Sequence, residues 1–250
     1  MNRDIEAIFF DIGDTLRVTV PDERLKSNAT RELMALVGTK ESADVFCGRL
    51  AERYRAYCQW RQRTLIEASE QELWTRWMLP DLPHERIEPI AEQLTHLWRM
   101  RGGRAALRPD APRVIAELSR RGYRLGIISN TICVHETPEM LEETGLARFF
   151  SAVVLSAAGG RRKPDPAPFV EATQRMGVRP ARSAYVGDRP SRDVAGPRRA
   201  GFGMIILIEG SSHAAEEAND ASLKPDVTIR NLSALLEIFL PRQVPNPLTD

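Results

Sequence analysis

Apolar residues follow two rhythms along this chain. Near the N-terminus a short continuous run, Ile8-Phe9-Phe10, ends on Asp11. Runs of this kind mark strands buried on both faces of a parallel sheet, and the pattern predicts a first strand over 5–11. A turn and a short flap follow over 12–20, ended by Pro21. From about residue 22 to 104 the strand signals vanish. Helical spacing replaces them at Leu25, Leu33, Leu36 and Val37, at Val45, Phe46, Leu50 and Tyr54, and at Ile87, Ile90, Ala91 and Leu94. With breaks at Pro80 and Pro83, the pattern predicts about four helices.

After Gly102-Gly103, strands and helices alternate. Helices are predicted over 109–121, 138–144, 165–176 and 192–200, with Gly122, Gly145, Gly177 and Gly201 beyond their ends. Strands are predicted over 123–129, 149–156, 183–186 and 203–208, with a short edge strand over 227–229. Residues 209–225 read as a polar loop, and 232–240 as a last amphipathic helix. This alternation specifies an α/β fold with a doubly wound parallel sheet and an inserted all-helical lobe. The expected division is a core of 1–16 and 105–240, a helical lobe of 17–104 and a loose tail of 241–250.

Composition narrows the function. The formal net charge is +1 over 250 residues, which offers no electrostatic footprint for nucleic acid or an anionic membrane surface. Cys47, Cys58 and Cys133 lack metal-site spacing and read as free thiols in a reducing compartment. The N-terminus has no apolar leader and no run reaches membrane-spanning length, so a soluble cytoplasmic protein is expected. Its oligomeric state is left open. The lobe holds all four tryptophans, Trp60, Trp74, Trp77 and Trp98, and many arginines, among them Arg61 and Arg99. Bundle core accounts for the aromatics and solvated faces for the arginines, with Glu67, Glu70, Glu72, Glu85 and Glu88 balancing the charge. A substrate pocket is the competing reading.

Polar clusters stand where the strands hand over to loops. Asp11 follows the first strand and Ser129-Asn130 the second. Arg162-Lys163-Pro164-Asp165 follows the third, and Gly187-Asp188, with Asp193 five residues on, ends the fourth. In a doubly wound sheet such ends converge on one crevice. Taken singly, each cluster is explained by a turn or a helix cap. Together they suit phosphoryl transfer through an aspartyl intermediate. Asp11 and Asp188 would share Mg²⁺, Lys163 would offset the charge on the nucleophile and the phosphoryl oxygens, and Ser129 would hold further oxygens.

These four motifs, in this order, resemble those of the haloacid dehalogenase-like superfamily, and the resemblance spans nearly the whole chain. It implies a Rossmann-like core in which a C1-type helical cap closes over a small phosphorylated substrate. By the same resemblance Asp11 is the nucleophile, with Thr15, Ser129, Asn130 and Lys163 supporting it and the phosphate. Asp11, a Gly13 backbone carbonyl and Asp188 would hold Mg²⁺, while Asp193 would order the Lys163 region or the metal's waters. One position departs from the family. Its phosphatases carry a general acid/base aspartate two residues after the nucleophile, and here that residue is Gly13. Losing such a group costs about 10²–10⁴-fold in rate, most with alkoxide leaving groups. Asp14 is a substitute if the turn is wound so as to aim it inward; otherwise it is a turn residue. Two other outcomes follow from the departure. One is carbon–halogen or carbon–phosphorus hydrolysis, the latter needing a lobe lysine, Lys26 or Lys40, as Schiff base. The other is a catalytically impaired protein retained for binding or regulation.

Overall fold

The computed structural model describes residues 4–209 and 223–242. Its strands are β1 (Ala7–Phe10), β2 (Arg17–Val20), β3 (Arg104–Leu107), β4 (Arg124–Ser129), β5 (Phe150–Leu155), β6 (Ser183–Gly187), β7 (Met204–Ile208) and β8 (Val227–Ile229). Six form one parallel sheet in the order β5-β4-β1-β6-β7-β8. β1 therefore lies inside the sheet, and its two faces bury different partners. Ile8 and Phe10 join Val114, Ile115 and Leu118 of the helix Ala111–Arg120. Ala7 and Phe9 join Phe169 and Ala172 of the helix Ala167–Arg175. Period-two alternation on a continuous apolar run thus packs a helical layer on each side.

The chain leaves β1 towards β4 and leaves β6 towards β7, in opposite directions across the sheet. The carboxyl ends of β1 and β6 consequently flank the switch point, where such sheets open a crevice.

The helical lobe is carried on a two-stranded antiparallel ribbon in which β2 pairs with β3. The sequence reading expects no strand at β3. Arg-Ala-Ala-Leu has little strand preference of its own, so its partner specifies it. The lobe comprises Glu23–Val37, Ala43–Thr64, a helical run over 70–78 whose second part, Leu73–Met78, is a π-helix, and a run over 84–100 that tightens to 3-10 geometry at Glu88–Ile90, around Pro89. Asp22 and Ser42 cap the first two by accepting from the Leu25 and Val45 amides. Leu33, Phe46, Leu50, Tyr57 and Trp74 fill its centre, and Trp60, Trp77 and Trp98 pack against that core.

Two other helices are more broken than the periodicity predicts. The 192–200 segment divides into Pro190–Asp193 and Ala195–Arg199, and the last helix is a 3-10 turn followed by Leu235–Ile238. The expected loop over 209–225 falls largely, at 210–222, outside the described residues, as do residues 243–250 of the expected tail. No helix among the described residues is long and apolar enough to cross a membrane. Cys47, Cys58 and Cys133 are free.

Trp74 is fully buried and donates from Nε1 to Thr95 Oγ1 at 2.9 Å. Trp74→Ala is expected to cost about 3–5 kcal/mol, measured as a lower urea midpoint. A cost below about 1 kcal/mol would mean that the lobe repacks around the gap.

Candidate active site

Strand register decides which side chains meet. Phe10 pairs with Ile127 on one side and Val186 on the other, and the Asp11 amide continues the ladder to Val186 O at 2.9 Å. Asp11 therefore emerges between the ends of β4 and β6, beside Ser129 and Asp188. All three are buried.

Lys163 joins this group from the loop after β5. Its ammonium has three protons and three partners: Tyr185 Oη at 2.6 Å, Asp193 Oδ1 at 2.7 Å and Asp11 Oδ1 at 3.0 Å. Ser129 Oγ donates to the same Asp11 oxygen at 2.8 Å. Asn130 fixes the backbone of Lys163 from both sides. Its Oδ1 accepts from Lys163 N at 2.9 Å, and its Nδ2 donates to Lys163 O at 3.0 Å. The Lys163-Pro164 bond is cis. Asn130 thus acts on the lysine loop.

Asp193 stands one step behind. Besides Lys163, its carboxylate accepts from the amides of Arg189 (3.0 Å) and Asp188 (3.3 Å). Burial works to raise its pKa, but Lys163 and Arg192 outweigh that and hold it at about 2. Gly187 is what lets Asp193 approach the strand end. A Cβ at position 187 would lie 2.5 Å from Asp193 Cβ. Tyr185, which the sequence reading passes over, lies beneath Lys163 and donates onward to Ile128 O at 2.9 Å. Burial pushes its phenol well above the ordinary range.

Arg192 is the second group the motifs do not reveal. Its Nη2 bridges Asp11 Oδ2 at 3.0 Å and Asp188 Oδ1 at 3.1 Å, and its Nε lies 3.3 Å from Asp193 Oδ2. Arg192 follows Asp188 by four residues, just inside the helix Pro190–Asp193, and that spacing is the signal the sequence does contain. Desolvation, then the charges of Asp193 and Asp11, push the Asp188 carboxyl up to about 7.

Asp11, Asp188 and Asp193 present carboxylate oxygens within 4.8 Å of one another. An all-oxygen, anionic donor set of this kind fits a hard divalent cation such as Mg²⁺.

The cavity in front of Asp11 has a volume of about 220 Å³ and is lined by Gly13, Asp14, Ser129, Asn130 and Asp188, with Arg17, Arg99, Arg189 and Arg192 among its basic groups. Arg17 and Arg99 are held by one acid, Glu136, with Arg17 Nη1 at 2.8 Å and Arg99 Nη2 at 3.2 Å from its Oε1. Asp14 is exposed at φ 55°, and its backbone carbonyl accepts from Arg108 at 2.8 Å. Thr15 is fully buried, does not line the cavity, and its Oγ1 has no hydrogen-bond partner. Lys26 and Lys40, the lobe lysines of the Schiff-base alternative, are exposed and do not line this cavity.

Glu67 and Glu70, two of the acids that balance the lobe's bases, are buried. Glu67 accepts from Tyr57 Oη (2.6 Å), Ser156 Oγ (2.8 Å), Arg61 (3.2 Å) and Arg162. Backbone bonds join Glu67 N to Gly160 O and Arg162 N to Leu65 O. One carboxylate thus ties the helical lobe to the segment that delivers Lys163.

Comparison with known proteins agrees with this geometry. A family model described as haloacid dehalogenase-like hydrolase matches residues 5–201. The chain is 30% identical over 238 residues to a glyceraldehyde 3-phosphate phosphatase of Methanopyrus kandleri, covering 94% of this chain and 97% of that one. It is 28% identical over 262 residues to a phosphoserine phosphatase of Thermus thermophilus, covering 94% and 98%. Among solved structures, a 2-haloacid dehalogenase from Pseudomonas syringae pv. Tomato superposes with a TM-score of 0.69 at 26% identity, covering 94% of this chain and 97% of that one.

Gly187→Ala forces a methyl group against the buried Asp193 side chain. It is expected to cost about 1–3 kcal/mol, read as a lower denaturant midpoint. An unchanged midpoint would show that Asp193 moves aside freely.

Proposed function

The chain belongs to the haloacid dehalogenase-like hydrolases, and we propose that it is a phosphatase for a small phosphorylated metabolite, working through an aspartyl-phosphate on Asp11. One observation carries this reading. Asp11 Oδ1 is fixed by Ser129 and Lys163 at the floor of a small polar cavity that also holds Asp188 and several arginines. Such a lining suits an anion, and the phosphatase names of two relatives support the substrate class.

In this mechanism Asp11 attacks phosphorus, an O–P bond forms, and the bond to the leaving oxygen breaks. Water then attacks the phosphorus of the acyl phosphate, releasing phosphate and regenerating Asp11. Lys163 orients the nucleophile, and Ser129 restrains the same oxygen. Asp193, saturated by Lys163, Arg192 and backbone amides, acts as a positioning residue. Mg²⁺ held by Asp11 and Asp188 would reduce the repulsion between nucleophile and phosphoryl group.

Gly13 stands where a general acid would protonate the leaving oxygen, and it contributes no proton. Nothing in the packing requires glycine there: its φ is not positive, and a Cβ would meet no atom within 4 Å. The chain therefore favours aryl and acyl phosphates, whose leaving groups depart without protonation. A second reading, carbon–halogen hydrolysis, draws on Gly13, on the guanidinium bridging Asp11 and Asp188, and on the likeness to a 2-haloacid dehalogenase. Turnover of a 2-haloacid that survives a chelator, with no phosphate release from any ester, would favour it. Binding of phosphate analogues with no turnover of any kind would favour a purely regulatory protein.

With an aryl phosphate, Asp11→Asn is expected to reduce phosphate release to background; retention of most of the activity would exclude Asp11 as nucleophile. Gly13→Asp adds the missing carboxyl where there is room for it. Hydrolysis of an alkyl phosphate is expected to rise by about 10²–10⁴-fold, while the aryl rate changes far less. Equal changes for both leaving groups would contradict the missing-acid account. Asp14→Asn tests the substitute acid in the same assay, and an unchanged rate is expected because Asp14 lies exposed at the cavity edge.

A further inference from the structure

We propose that Arg192 is a resident counter-cation that occupies the place between Asp11 and Asp188 and competes with a divalent metal for it. The inference rests on the reading of these two carboxylates as metal ligands. A single nitrogen, Nη2, lies 3.0 Å from Asp11 Oδ2 and 3.1 Å from Asp188 Oδ1. Mg²⁺ binds its oxygen ligands at roughly 2.0–2.1 Å. An ion bonded to both of these oxygens would be crowded by that nitrogen, and guanidinium stays charged and offers no lone pair to a metal.

Charge points the same way. With Asp11, Asp188 and Asp193 ionised the cluster carries three negative charges, and Lys163, paired with Asp11 and Asp193, cancels one of them. Arg192 cancels a second, whereas a divalent ion would cancel both that remain. With metal and guanidinium together, the cluster would carry an excess positive charge at close range, and like charges in contact are costly. The side chain also has a way out. Asp11 and Asp188 are each 2% exposed, whereas Arg192 is 20% exposed and lines the cavity. It can withdraw towards the solvent side and meet an incoming anion there, while the two carboxylates stay in place. Arg192 thus stabilises the metal-free cluster and weakens metal binding by the same contacts.

Mn²⁺ affinity of the full chain, measured by the EPR signal of the free ion, tests this without reference to turnover. Arg192→Ala is expected to bind Mn²⁺ about tenfold or more tightly than the wild type. Arg192→Gln, which keeps much of the side chain without its charge, should shift in the same direction. If the alanine variant needs metal to fold, recovery of its thermal transition on adding Mn²⁺ supports the same conclusion, and the glutamine variant carries the affinity comparison. Equal or weaker binding by the variants overturns the competition while leaving the metal site intact. No binding by the wild type or either variant overturns the metal site itself, and the competition with it.

Discussion

The ammonium of Lys163 is enclosed by Asp11, Asp193 and the Tyr185 hydroxyl, and the rest of the site is arranged around those contacts. A buried cation held by two hydrogen bonds and a further ion pair has little freedom to turn, and it restrains each carboxylate it touches. Removing one partner from a buried ion pair typically costs about 3–5 kcal/mol, because the remaining charge stays desolvated. The surrounding structure serves this group. Asn130 clamps the lysine's backbone, Gly187 leaves room for Asp193, and Glu67 docks the helical lobe on the residues just before Lys163.

The same cluster explains why the chemistry is selective. In the proposed chemistry Asp11, its counter-charge Lys163 and the cavity are in place, while the position two residues after Asp11 is Gly13, which carries no proton. The turn after β1 decides where its neighbours point. Asp14 takes a left-handed conformation, its amide bonds Arg17 O at 2.7 Å, and the Thr15, Leu16 and Arg17 amides all converge on Ile12 O. This winding sets Asp14 at the exposed edge of the cavity and turns Thr15 into the core. A Cβ at Gly13 would meet no atom within 4 Å, so packing does not require glycine there.

Much of this was legible in the sequence. Continuous apolar runs marked the parallel strands, and those of β1, β4 and β6 end at Asp11, Ser129 and Asp188, which the sheet register gathers into one crevice. β3 was hidden because pairing with β2, and no preference of its own, makes it a strand. Arg192 and Tyr185 were hidden for different reasons. Tyr185 reads as one more apolar strand residue, and only the three-dimensional packing aims its hydroxyl at Lys163. Arg192 reads as the start of a predicted helix, and only the folded turn after β6 brings its guanidinium back onto Asp188 and Asp11. Glu67 was misjudged because composition counts acids and bases without showing which are buried together. In each case the decisive fact is a contact between residues distant in sequence, or a face chosen by packing.

The account stands or falls on covalent participation of Asp11. Acid quenching during steady turnover of an aryl phosphate, followed by mass analysis of the peptide containing Asp11, tests it directly. The expected result is a fraction of that peptide heavier by one phosphoryl group, absent from Asp11→Asn and lost on treatment with hydroxylamine. Sustained turnover with no phosphorylated form of that peptide at any quench time would contradict it.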